Sequence, residues 1–233
     1  MIVRFFATIG ILCVALAACN KSETAPNVAA ETPVPEVVPT APEMAPTPAP
    51  EPEAPPNPAE SREWVAGEFF GAIKEDTTEA DVKRIYGAAN VKRTEQHVGE
   101  GETIDALVVY PKTPDEFTIA WHGDKPEIDR ITVIGKNWHS REGIRIGTTL
   151  ADLVKTNANP INFYGFAWDY GGTVSNWNRG KLQTFDDSVV VRLTPPENWD
   201  SDDLIGDIEF SSDDAEAKRI ARDTKVFQIV LGF

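Results

Sequence analysis

Sulfur is nearly absent from this chain: only two of its 233 residues are cysteine, Cys13 and Cys19, and both lie within the first nineteen. From Asn20 onward there is no thiol, which excludes disulfides, cysteine-metal sites and cysteine nucleophiles there. Positive charge is also scarce, with 22 Lys and Arg against 37 Asp and Glu, a net charge of −15. It divides into +1 on the leader, −6 on a linker and −10 on the rest, which sum to −15. Sequence-blind attraction to nucleic acid or to anionic lipid is excluded by that sign. Residues 20 to 60 hold no aromatic side chain, and 12 of the 18 prolines fall between Pro26 and Pro58. Such a stretch cannot bury enough apolar surface to offset chain entropy. Catalytic signatures are missing too: there is no Gly-x-Ser-x-Gly, no Ser-x-x-Lys with its partners, and no His-Glu-x-x-His. Neither a cofactor nor a metal is expected.

What is present begins at the N-terminus. Arg4 precedes a mostly apolar run from Phe5 to Leu16, followed by small residues. A bilayer span needs about 20 apolar residues, so this run reads as a secretory signal peptide, residues 1 to 18. Its end, Leu16-Ala17-Ala18-Cys19, resembles the lipobox of bacterial lipoproteins. The resemblance implies cleavage before Cys19, a diacylglyceryl group on its thiol and an acyl chain such as palmitate on its amine. Three chains make a permanent bilayer anchor at about 0.8 kcal/mol per buried methylene. Asn20 stands where enterobacterial lipoproteins kept at the inner membrane resemble one another in carrying Asp, so the expected address is the outer membrane, periplasmic face.

Residues 19 to 61 then read as the lipidated cysteine and a Pro-, Ala- and Glu-rich spacer. Forty residues at about 3.1 Å each reach about 120 Å when stretched, and about 35 Å as a flexible coil. Either length carries the remaining domain, residues 62 to 233, clear of the membrane.

That domain contains an internal echo. Thr77-Thr78-Glu79-Ala80-Asp81-Val82 recurs 71 residues later as Thr148-Thr149-Leu150-Ala151-Asp152-Leu153. Threonine with aspartate three residues on is a capping-box-like helix start, the hydroxyl accepting a backbone N–H and the acid sitting in the first turn. The first helix is expected to stop at Gly87 and the second before Pro160. Strand-like runs follow each: 106–110, 116–121 and 130–134, then 163–168, 173–177, 189–193, 205–210 and 226–231, with a polar helix over 213–223. The expected fold class is α+β, with two related halves, about 73–135 and 144–233, each a short helix followed by antiparallel strands. The stretch Ile144 to Leu153 resembles the start of the small lipoprotein subunit of the outer-membrane barrel-assembly machine. The related tandem fold is that of β-lactamase inhibitory protein. The first repeat departs from this pattern, with Glu75-Asp76 where the glycine belongs.

Five segments are candidates for function. Residues 166–177 concentrate Trp168, Asp169, Tyr170, Gly171, Gly172 and Trp177, an aromatic and glycine pattern suited to an interface. Against this stands a hairpin turn at the glycine pair with both tryptophans in the core. His122 with Asp124 as its orienter, or His139 beside Ser140, would serve a hydrolase, although solvated histidines at strand ends fit equally. Nine acids between Glu197 and Glu216, with no Lys or Arg among them, form a charged face. Asp200-Ser201-Asp202-Asp203 fails the calcium-loop pattern because Leu204 occupies a ligand position. The C-terminal run Phe227 to Phe233 alternates and ends on Phe like an outer-membrane barrel strand, but one strand makes no barrel and a buried last strand is expected.

The expected function is a tethered, non-catalytic module that binds another envelope protein. Alternatives are a hydrolase of cell-wall material, with His122, Asp124 and Asp169 to test, and an inhibitor of a basic wall-degrading enzyme.

Overall fold

A computed structural model describes residues 60–123 and 127–233. The leader, Cys19, the proline-rich stretch and Asp124 lie outside the described residues. In chain order the elements are β1 (Glu63–Val65), β2 (Phe69–Phe70), α1 (Glu79–Tyr86), β3 (Val91–Gly99), β4 (Glu102–Val109), β5 (Phe117–Trp121), β6 (Ile128–Val133), β7 (His139–Ser140), α2 (Leu150–Asn157), β8 (Asn162–Tyr164), β9 (Val174–Asn176), β10 (Val189–Thr194), β11 (Glu209–Ser211), α3 (Ala215–Ile220) and β12 (Lys225–Leu231). The fold is α+β: among the described residues there are three short α-helices and mainly antiparallel strands.

Both expected helix starts are present. Thr78 Oγ1 accepts from Asp81 N–H at 3.2 Å and Thr149 Oγ1 from Asp152 N–H at 3.0 Å. The turn before each is also shared: Thr77 Oγ1 accepts from Lys74 N–H at 2.9 Å, and Thr148 Oγ1 from Arg145 N–H at 3.0 Å. Gly87 ends α1 at a φ of 83°, and Ala158 ends α2 in the left-handed region.

The sheets do not divide half by half. The main sheet has the order β10-β12-β6-β5-β4-β3, so its strands come from both sides of the repeat, while β8, β9 and β11 form a separate small sheet. The C-terminal strand β12 lies between β10 and β6 with Val226, Ile229 and Leu231 buried. β1 pairs with β2 and, in parallel, with β7.

The two faces of the main sheet are chemically different. One holds Phe117, Ile119, Ile131, Val133, Val191, Ile229 and Leu231, all buried in the core with Val82 and Leu153 of the helices. Phe70, Phe117 and Trp138 pack beside them, with Phe70 and Trp138 stacked at 4.0 Å. Such contacts add about 0.5–1.5 kcal/mol each beyond the area they bury. By register, the opposite face carries Thr94, Gln96, Ala106, Val108, Thr118, Ala120, Arg130, Thr132, Val190, Arg192, Gln228 and Val230.

That second face is curled into a trough. Gln96 on β3 donates through Nε2 to the Thr132 hydroxyl on β6, although β4 and β5 lie between. Three strand spacings span about 14 Å on a flat sheet, more than a glutamine can reach, so the sheet must coil to bring them together. Ala106 and Ala120 face each other in the middle of the floor, and their small side chains leave room for that curvature.

Candidate functional site

The trough opens into a cavity of about 580 Å³. Its floor is Val190, Val230, Arg130, Arg192 and Gln228. One wall is the end of β3 and the hairpin tip, from Gln96 to Gly101; the other is Asp169, Tyr170 and Thr173. A second cavity of about 400 Å³ continues over Thr94, Val108, Thr118 and Thr132, and Gln96, His97 and Gln228 line both.

The 166–173 segment is held in place by backbone geometry that only glycine satisfies. Gly172 has a φ of +74°, and a Cβ there would stand 1.9 Å from the Leu193 carbonyl oxygen. Without a side chain, the segment lies directly against β10, and Leu193 N–H donates to the Gly172 carbonyl at 2.8 Å. Gly171 N–H donates to the Trp168 carbonyl at 2.9 Å, closing a turn that turns Asp169 and Tyr170 outward.

Of the residues expected here, the structure brings together Trp168, Asp169, Tyr170, Gly171 and Gly172. Tyr170 is 42% exposed. It stands edge-on to half-buried Trp168 at 5.4 Å, which in turn meets Tyr164 at 5.9 Å. Its hydroxyl touches the hairpin at Gly99, where a Cβ would approach to 2.9 Å. Trp177 does not join them. It is 2% exposed and packs edge-on against Phe185 at 5.6 Å, so it is a core residue. The tryptophan pair splits, one to the core and one to the rim, because Trp177 follows a strand of the small sheet whereas Trp168 sits in the turn before it.

The residue that organises this wall was not singled out from the sequence. Arg192 donates through Nη2 to the Asp169 carbonyl at 2.7 Å and to the Gly171 carbonyl at 3.3 Å, and through Nη1 to Gln228 Oε1 at 3.3 Å. Its guanidinium carbon lies 5.3 Å from the centre of the exposed Phe227 ring. Burial lowers the guanidinium pKa from its ordinary value, and the Asp169 carboxylate opposes that shift. Among the described residues, Arg192 Nε and Gln96 Oε1 are buried without a hydrogen-bond partner. A lone arginine in the apolar run Val189-Val190-Val191-Arg192-Leu193 was the sequence signal, because a charge in such a strand must face a polar partner or water.

The histidine candidates lie elsewhere. His122 is 54% exposed on its side chain, with Nδ1 3.3 Å from Asp129 Oδ1. The cavity lined by Asp169 does not include His122, so these two do not share a site. Ser140 is buried, and its Oγ accepts from Glu142 N–H at 3.1 Å and Ile144 N–H at 3.2 Å. That occupies the hydroxyl as a turn cap. His139 Nδ1 instead lies 3.1 Å from the Ser140 carbonyl.

The acidic run is partly spent on structure. Glu216 accepts from Trp199 Nε1 at 2.8 Å and from Arg219, and with Arg219's bonds leading, these hold its pKa down to about 2. Asp214 accepts from Ser211 N–H, Asp213 pairs with Lys218, and Glu209 accepts from the Ser175 hydroxyl. Among the described residues no group of three or more His, Cys, Asp or Glu side chains is placed to hold a metal.

No family model matches the chain, and no curated protein matches it. Among solved structures, it is similar to the uncharacterized protein yfeY from Escherichia coli. The two are 15% identical over 72% of this chain and 95% of that one, with a TM-score of 0.41.

Proposed function

We propose that the chain is an envelope lipoprotein, anchored in the outer membrane through acylated Cys19, whose α+β domain binds another envelope protein and does no chemistry of its own. The observation that carries this reading is the rim formed by the 166–173 segment. Trp168, Tyr170 and Arg192, the side-chain types that dominate binding energy at interfaces, meet there beside exposed Val190 and Phe227. Gly172 and Arg192 fix the segment before any partner arrives, which reduces the ordering cost of association.

The test is recovery of the crosslinked partner from cells expressing the full-length chain. Asp169→Ala and Tyr170→Ala should each reduce recovery of that partner about tenfold, with the thermal unfolding midpoint unchanged. Undiminished recovery moves the interface elsewhere. A fall in the midpoint assigns the segment a structural role instead. For the anchor, Cys19→Ser should release the exported protein from membranes, and persistent membrane association of that variant overturns the lipid reading.

A further inference from the structure

β3 is the last strand of the main sheet, nine residues long, and among the described residues no strand pairs with its outer side. Tyr110 N–H donates to the Asn90 carbonyl at 2.9 Å, and the β3–β4 register continues from that pair. Lys92, Thr94 and Gln96 therefore turn their backbone groups toward β4. Arg93, Glu95 and His97 turn theirs away from it, to the free edge. On that edge, among the described residues, the Glu95 carbonyl takes only a 3.3 Å bond from the Thr94 hydroxyl.

Natural edges are commonly blunted by charge, and this one carries Lys92, Arg93 and Glu95. Two cations, Lys92 and Arg93, precede one anion, Glu95, so the charges repel a second copy in some registers and attract it in one. Antiparallel pairing about Arg93 would set Arg93 against its twin, and pairing about Glu95 would set two carboxylates together. Pairing about Thr94 places Arg93 opposite Glu95 twice, Thr94 opposite Thr94, and Lys92 opposite the uncharged Gln96. Opposite charges and Thr–Thr pairs facing each other across strands are the stabilising combinations. Among the described residues Glu95 has no ion pair of its own, while Arg93 is exposed and reaches Glu79 at 2.8 Å on the same face.

We infer that β3 is a dimer edge: two copies of this chain join antiparallel about Thr94, extending the six-stranded sheet across a two-fold axis. The interface is isologous, each Arg93 meeting the partner copy's Glu95, as closed two-fold symmetry requires. Two troughs would then lie on one continuous sheet.

The full-length chain should sediment as a dimer at about 100 μM and dissociate on dilution. In cells, Thr94→Cys should give a band of twice the mass on a non-reducing gel, whereas Lys92→Cys and the unsubstituted chain should not. Glu95→Arg should weaken the dimer at least tenfold, and adding Arg93→Glu to it should restore it. Circular dichroism and the unfolding midpoint check that each variant is folded. A monomer at every concentration overturns the proposal, as does crosslinking of Lys92→Cys as strong as that of Thr94→Cys, or a double variant no tighter than Glu95→Arg alone.

Discussion

The segments opening α1 and α2 carry the same threonine pair and the same aspartate, yet their helix starts are satisfied differently. At α1 the box is self-contained: Thr78 N–H donates back to Asp81 Oδ2 at 3.2 Å, and Arg84 pairs with the same carboxylate group. At α2 the first amides are stitched to other elements. Leu150 N–H donates to the Thr224 carbonyl and Ala151 N–H to the Ala221 carbonyl, both at 2.9 Å, while Gly147 N–H donates to the Val226 carbonyl and Val226 N–H to the Thr148 carbonyl, both at 2.8 Å. The far ends diverge further. Tyr86 closes α1 against Phe117 and Tyr110, edge-on at 5.4 and 5.9 Å. Asn157, 71 residues on, is 0% exposed; its Nδ2 donates to the Trp177 and Asn159 carbonyls and its Oδ1 accepts from Leu182 N–H. Gly180 leaves it room, since a Cβ there would stand 2.1 Å from Oδ1. A capped helix start needs only a few adjacent residues and can therefore be reused, whereas what a helix end buries depends on the chain laid over it.

This contrast can be broken at its ends first. Tyr86→Ala should cost about 4 kcal/mol in urea unfolding, as removal of a buried aromatic does. Asn157→Ala should follow at about 3 kcal/mol, because it strands the buried backbone groups of residues 177 and 182 and the half-buried carbonyl of Asn159. A loss below about 1 kcal/mol for Asn157→Ala would mean that the polar wiring does not hold this end. Thr78→Ala should then cost about 1 kcal/mol, and Thr149→Ala less, since the Leu150 and Ala151 amides, bonded to neighbouring elements, hold the start of α2 in place after the Asp152 amide loses its cap. Equal losses would show that the stitching adds nothing.

The smallest effect concerns acid. Bonds from Thr78, chiefly its hydroxyl, and then from Arg84 lower the Asp81 pKa from its ordinary 3.8 to about 2. A carboxyl depressed by folding stabilises the folded state above its ordinary value, and the contribution is lost as pH falls toward about 2. Asp81→Asn should therefore lower the thermal midpoint at pH 7 and leave it nearly unchanged near pH 2. A gap that persists at pH 2 would assign the effect to packing.

Much of the fold was legible along the chain. Thr78 and Thr149 marked both helix starts, Gly87 marked a stop, and the strand-like runs 106–110, 116–121, 189–193 and 226–231, bounded by turn signals, marked strands of the main sheet. β3 was not legible. Lys-Arg-Thr-Glu-Gln-His is polar at every position because one of its faces looks into the trough, the other is largely exposed, and among the described residues its outer edge is open, so no apolar period appears. The 205–210 run also formed less strand than its pattern suggests, pairing only over Glu209–Ser211, with a single bridge between Ile205 and Phe166. At the candidate site, Asp169 and Tyr170 were visible as an aromatic, glycine-bounded turn. Their support from Arg192 and the hairpin tip was not, because those residues lie more than 20 and about 70 positions away.

By itself the sequence determined the elements whose cause is local: two threonine-capped helices, the strand-like runs of the main sheet, the turn at Gly171-Gly172, and a chain without thiols beyond Cys19. Tertiary structure alone decided which tryptophan is core and which is rim, that β12 lies inside the sheet, and that the sheet curls until Gln96 meets Thr132. Caps and turns arise from bonds among neighbouring residues, which the sequence states directly. Strand order, curvature and the trough arise from packing between residues far apart in the chain, where many partners fit a given apolar or polar side chain and only the assembled core selects among them.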